Sequence, residues 1–130
     1  RVYISVGVGH AVHCFGLRDG IPYFVYTAND LKKPLGIAVD IENNVYIVGN
    51  ASHNIHKLSS DGSLLQVISS GVPNKPSKIL FDVNRDQFIL TNDGTERNNL
   101  YCFMHSNSLL SNILYNRYCI CLIKDNTLTL

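Results

Sequence analysis

No apolar run in this sequence approaches the roughly 18 to 20 residues that span a bilayer, and no basic-then-apolar leader precedes the first strand-like stretch. A soluble chain with no membrane partner is therefore expected. Neither charge sign is in excess. Eleven Lys and Arg stand against ten Asp and Glu, a formal charge of +1, so the overall balance argues neither for nucleic acid nor for an acidic membrane. Any basic partner surface has to come from local clustering. The four cysteines, Cys14, Cys102, Cys119 and Cys121, include no Cys-x-x-Cys pair and no His spacing of the zinc-site kind. They read as reduced and mostly buried, which points to a cytoplasmic protein. Charge itself is scarce, at 16% against 45% hydrophobic residues, which excludes a disordered chain. At 130 residues the chain has the length of one domain with a real core.

The strongest positive signal is self-similarity, because a repeat period decides architecture. Pro34-Leu35-Gly36-Ile37-Ala38-Val39-Asp40 returns 42 residues later as Pro76-Ser77-Lys78-Ile79-Leu80-Phe81-Asp82. Val45-Tyr46-Ile47-Val48-Gly49-Asn50 returns at the same offset as Gln87-Phe88-Ile89-Leu90-Thr91-Asn92, and Val2-Tyr3-Ile4 precedes it by 43. A further run occurs as Val12-His13-Cys14-Phe15, Ile55-His56-Lys57-Leu58 and Leu100-Tyr101-Cys102-Phe103.

Within a repeat, short β-branched and aromatic runs are separated by turn residues: Glu42-Asn43-Asn44, Gly49-Asn50-Ala51-Ser52 and Ser60-Asp61-Gly62. Leu64 to Ile68 supplies a fourth strand. Four short antiparallel strands per repeat, with Asp-Gly turns at Asp19-Gly20 and Asp61-Gly62, describe a blade of a β-propeller. Ile37-Ala38-Val39 and Tyr46-Ile47-Val48 are apolar on both faces, as a blade wedged between two neighbours requires. The fold class expected is all-β, a partial propeller with about two and a half recognisable blades at residues 1–30, 31–72 and 73–104. Residues 105–130 lack the repeat signature and read either as a diverged blade or as an unrelated end.

Pro34 to Leu58 resembles the NHL repeat, with its Pro-x-Gly-Ile-Ala-Val-Asp opening, Asn-containing turn and apolar second strand. With Leu31-Lys32-Lys33 before it and Asn99-Leu100-Tyr101-Cys102-Phe103 at the far end, the chain resembles the NHL propellers at the C-terminus of tripartite-motif proteins over residues 1–104. Two departures stand out: Ser77-Lys78 replaces the glycine of the third repeat, and Thr91 to Arg97 lengthens one of its loops. The resemblance implies a propeller of about six blades, closed only with more chain than is present, since closure takes at least four. Arg1 opens the chain in mid-strand, so the natural N-terminus is expected upstream, and a fragment alone is expected to be marginal, aggregation-prone or completed by another chain.

The candidate chemistry is sparse. His10-x-x-His13 and His53-x-x-His56 have a tempting spacing, but residues three apart on a strand face opposite ways, so no metal site is expected. Asp40 and Asp82 each close a first strand and are expected to accept hydrogen bonds from turn amides rather than act as a catalytic pair. Cys14 and Cys102 occupy equivalent positions two blades apart, beyond disulfide reach, and no Ser, His and Asp or Cys and His combination suggests a nucleophile. No catalytic residue, metal or cofactor is therefore assigned to this chain.

Alternating strand direction gathers other residues. Lys32, Lys33, Lys75 and Lys78 lead into first strands, while His10, His53, Asn50, Asn92 and Arg97 lie at second-to-third-strand loops of the same rim. These nine form the candidate binding rim, diluted by Asp30, Asp93 and Glu96. By the resemblance, such a rim binds a protein, here a substrate recruited for a ubiquitin ligase whose catalytic domain lies elsewhere. Single-stranded RNA is the alternative ligand, although Tyr3, Tyr46, Phe88 and Tyr101 sit in strands rather than on the rim. A third reading is part of a six-bladed propeller enzyme of lactonase or lyase type, for which the channel positions Leu35, Gly36, Ser77 and Lys78 offer no convincing ligand.

Overall fold

The structure, a computed structural model, describes residues 1–82, 87–93, 100–104, 112–115, 118–122 and 128–129, and the side chains of 1–82 and 88–93. Its strands follow the repeat. β1 (Val2–Val6), β2 (Ala11–Phe15) and β3 (Pro22–Thr27) pair in chain order as one antiparallel sheet. β4 (Pro34–Val39), β5 (Val45–Gly49), β6 (Asn54–Leu58) and β7 (Leu64–Ile68) form a complete four-stranded sheet in the same manner. β8 (Pro76–Asp82), β9 (Gln87–Asn92) and β10 (Leu100–Met104) form the third. The chain is an all-β partial propeller. Residues beyond the repeat also contain strands: β11 (Asn112–Tyr115), β12 (Tyr118–Leu122) and β13 (Leu128–Thr129) make a further antiparallel sheet.

Register ties the first sheet to the second. Ile4 pairs with His13 and His13 with Val25, just as Ile47 pairs with His56 and His56 with Val67. The first sheet is thus a blade whose three strands occupy the second, third and fourth places, with β1 standing where β5 stands in the next.

Turn chemistry closes several of the described hairpins. The Asp40 carboxylate accepts the Glu42 and Asn44 amides at 2.9 and 2.8 Å on one oxygen, and the Asn44 side-chain amide at 2.9 Å on the other. Asn43 takes the left-handed conformation, φ 65°, inside that turn. Asp40 therefore organises the β4–β5 turn, the role its position at a strand end implies. Both Asp-Gly turns carry their glycine at positive φ, 66° at Gly20 and 92° at Gly62.

The core lies between the sheets. Between the first and second, Val12 and Tyr26 pack against Leu31, Val45, Ile47 and Leu58, with Tyr3, Phe24 and Ile37 alongside. Between the second and third, Tyr46, Val48, Ile55 and Ile68 meet Ile79, Phe88 and Leu90. β5 contributes to both clusters and is buried along its whole length, which explains its apolar run. Each fully buried side chain of this size contributes about 1.5–3 kcal/mol, so two interlayer seams hold the arc together.

The face of β1–β3 turned away from the second blade has no such neighbour among the described residues. Ile4 is 48% exposed there, at the position where Ile47 is fully buried, and Val25 on the same face is 56% exposed. An open arc of blades leaves an apolar terminal face of this kind, as expected.

Candidate functional site

In a four-stranded blade such as β4–β7, the segment leading into the first strand and the loop from second to third strand emerge on the same rim, because consecutive strands run in opposite directions. Hydrogen bonds hold them to one another. The Lys33 carbonyl accepts the Asn50 N–H and the Lys32 carbonyl the Ala51 N–H, each at 3.1 Å, while the Lys32 N–H donates to the Ser52 hydroxyl at 2.9 Å. In the third blade the Lys75 carbonyl accepts the Asp93 N–H at 2.9 Å.

Histidines then join one blade to the next on that rim. His10 in the β1–β2 loop accepts the Lys33 N–H on Nδ1 at 2.9 Å, and His53 in the β5–β6 loop accepts the Lys75 N–H on Nδ1 at 3.0 Å. All four residues are left-handed, with φ of 51° at His10, 50° at Lys33, 55° at His53 and 51° at Lys75. Such conformations cost a non-glycine residue roughly 1–2 kcal/mol, so their recurrence marks a joint held by its surroundings. In each joint a lysine backbone is shared: its N–H goes to the preceding blade and its C=O to its own.

The nine predicted rim residues separate on this geometry. His10, His53, Lys32, Lys33 and Lys75 are exposed on the rim. Lys78 is exposed but lies within β8 rather than ahead of it, its N–H donating to the Thr91 hydroxyl at 3.3 Å. Asn50 and Asn92 are buried and connect segments instead of facing solvent. Asn50 donates to the Pro76 carbonyl at 3.0 Å and reaches the Asp93 carboxylate at 3.3 Å, while Asn92 donates to the Asn74 carbonyl at 3.4 Å. Arg97 lies outside the described residues.

The two histidines of the His53-x-x-His56 spacing point to different blades, His53 from the β5–β6 loop and His56 from within β6. His53 reaches forward to the third blade, whereas His56 is fully buried against the first, its Nδ1 2.8 Å from the Tyr26 hydroxyl. Its Nε2 lies 3.2 Å from the Asn54 amide nitrogen and 3.7 Å from an Asp30 carboxylate oxygen. Sequence reasoning missed this polar contact between blades, although a histidine in the middle of an apolar strand was a signal for it. Burial pushes the His56 imidazole below its ordinary value, with the nearby Asp30 carboxylate acting in the opposite sense. Protonation then occurs more readily in the unfolded chain, whose histidine sits near about 6.5, so stability falls as pH drops from that value through the lower folded one. Thermal melts from pH 8 to 5 should show this acid-side loss, and His56→Gln, which places a neutral amide in the slot, should flatten it. An unchanged slope in the variant would assign the loss to other groups.

Two concave regions flank the first junction. One of about 390 Å³ is lined by Gly9, His10, Thr27, Ala28, Asn29 and Lys32, on the rim just described. The other, about 540 Å³, lies on the opposite rim among Arg1, Tyr3, Val39, Asn43 and Ser60. There the Arg1 guanidinium donates to the Ser60 carbonyl and sits 4.7 Å from the centre of the Tyr23 ring. Among the described residues no group of three or more His, Cys, Asp and Glu converges to hold a metal ion.

Comparison with known proteins agrees with this architecture. The family described as beta-propeller repeat (SBBP) matches residues 23–56, from the outer strand of the first blade to the third strand of the second. Among solved structures, streptogramin B lyase is similar with a TM-score of 0.57 and 8% identity, covering 98% of this chain and 49% of that one. The chain thus spans about half the length of that protein, and at this identity the likeness is one of fold. No curated protein matches the sequence.

Proposed function

We propose that this chain is part of an NHL-type propeller that works as a binding module, presenting its histidine- and lysine-bearing rim to a protein partner. The observation that carries the reading is the rim itself, where Lys32, Lys33 and Lys75 are exposed while their backbones are fixed by hydrogen bonds from two sides. Rigid backbone under exposed polar side chains favours recognition, since little ordering entropy is lost on binding. In a tripartite-motif-like ubiquitin ligase of the cytoplasm, the partner is the substrate, and ubiquitin transfer belongs to a domain other than this one.

A second reading has a specific observation in its favour: the fold likeness to streptogramin B lyase suggests part of a propeller enzyme of the lyase or lactonase type. The two separate by experiment. Peptides selected on the chain from a random library should lose binding to a Lys32→Glu, Lys33→Glu, Lys75→Glu variant and keep it with Arg1→Gln on the opposite rim. Consumption of streptogramin B by the chain, with no peptide selected, would instead establish the enzyme. RNA binding through the same lysines would appear as a fall in log K with log salt of about 0.7 per phosphate contacted.

A further inference from the structure

The joints between blades do more than hold the arc together, because they fix which atoms the rim offers. A neutral imidazole has one donor and one acceptor nitrogen. His10 spends its acceptor on the Lys33 N–H through Nδ1, so its remaining nitrogen, Nε2, carries the hydrogen and can only donate. The same holds at the next junction, where His53 Nδ1 accepts the Lys75 N–H. Each junction therefore sets an imidazole N–H of fixed tautomer beside a lysine, whose ammonium has donors and no acceptor.

At the first junction these donors meet a concave surface. The cleft of about 390 Å³ contains His10, Lys32 and Asn29 and no carboxylate among its lining residues. Lys32 is anchored at both backbone ends, by Ser52 and by Ala51, which leaves its side chain as the movable part. Asp30, the acid closest in sequence, has its carboxylate beside His56. A site with two fixed or charged donors and no acid of its own is complementary to an anion, and charge-assisted hydrogen bonds to carboxylate are the strong ones.

We infer that the cleft formed by His10, Asn29 and Lys32 binds a carboxylate side chain of an acidic segment in a protein partner. This rests on the binding-module reading and specifies its ligand. The described aromatic residues favour peptide over single-stranded RNA. Tyr26, Tyr46 and Phe88 are buried, and Tyr23 lies under Arg1 on the opposite rim, so none of these tyrosine and phenylalanine rings offers a base a stacking platform on the described rim.

The test uses fluorescein-labelled hexaglutamate, hexaglutamine and hexauridylate, titrated with the whole chain and followed by anisotropy. Saturable binding of hexaglutamate alone is expected. Lys32→Gln removes the charge. His10→Asn retains an acceptor for the Lys33 N–H and tolerates a positive φ, but removes the Nε2 donor. Each should weaken hexaglutamate by roughly tenfold, the size of a lost charge-assisted hydrogen bond, at an unchanged melting temperature. Arg18→Gln, in the β2–β3 turn of the opposite rim, should leave binding as it was. Equal binding of hexaglutamate by the wild type and both variants, or no binding of it, overturns the inference. If hexaglutamine then binds, or library peptides still depend on the rim lysines, the binding-module reading survives without its acidic ligand. Hexauridylate binding that is lost in the same variants would replace the peptide by RNA.

Discussion

Gly36→Ala is expected to lower the midpoint of urea unfolding markedly, through one methyl group. A Cβ at Gly36 would stand 2.7 Å from the Ser77 carbonyl oxygen, 3.0 Å from the Ile79 nitrogen and 3.1 Å from the Lys78 Cα. All three are backbone atoms of β8, so no side chain can rotate away; the two inner strands have to separate. Overpacking of this kind costs about 1–3 kcal/mol, and Gly36→Val should cost more. Gly20→Ala provides the contrast, since its φ is +66° but nothing lies within 4 Å. Its penalty comes from backbone conformation alone and should be about 1 kcal/mol. If Gly36→Ala unfolded like the wild type, the second and third blades could not be packed at this distance.

Phe88→Ala should have the larger effect. Phe88 is fully buried, its ring centre 5.0 Å from that of Tyr46, in the cluster that joins the second and third blades. Truncating a buried phenylalanine costs about 3–5 kcal/mol, against a total stability of about 5–15 kcal/mol for an ordinary domain. The variant should be largely unfolded at a temperature where the parent is folded, as near-ultraviolet dichroism would report. A cycle with Tyr46→Leu tests the ring contact itself, for which a coupling of about 0.5–1.5 kcal/mol is expected. Tyr46 also reaches the Asp40 carboxylate through its hydroxyl at 3.3 Å, so the same side chain supports the β4–β5 turn. Additive effects in the cycle would mean that the two rings merely fill space independently.

Much of the fold was legible because the repeat placed the same residues under the same constraints several times. The offset between Pro34-Leu35-Gly36 and Pro76-Ser77-Lys78 located the inner strands, and Leu64 to Ile68 was correctly read as an outer strand from the turn residues on either side. The glycine of the second repeat now has a physical cause in the close approach of β8, a cause invisible in one strand's sequence because it lies in the next blade. The rim was legible as a place but not as a set of contacts. Alternating direction put His10, His53 and the lysines together, yet that argument treats every loop residue as exposed, and so it placed the buried Asn50 and Asn92 among the ligand-facing groups. Nor does periodicity reveal that a lysine contributes its backbone to a joint, since any residue with an N–H could do so. The left-handed φ of Lys33 and Lys75 is the distinguishing property, and lysine is not a residue type that announces it.

The joints also bear on the order in which the molecule is assembled. His10 to Lys33 and His53 to Lys75 close loops of 23 and 22 residues, about half a repeat, and within the first three sheets each strand pairs with its immediate neighbour in the chain. Loop closure over such distances costs little entropy compared with pairing remote segments. Each blade can therefore fold from local hairpins, and the lysine that leads into the next blade can join the two before that blade's strands have paired. An arc made this way can add its blades one after another in chain order, without waiting for a contact between distant segments.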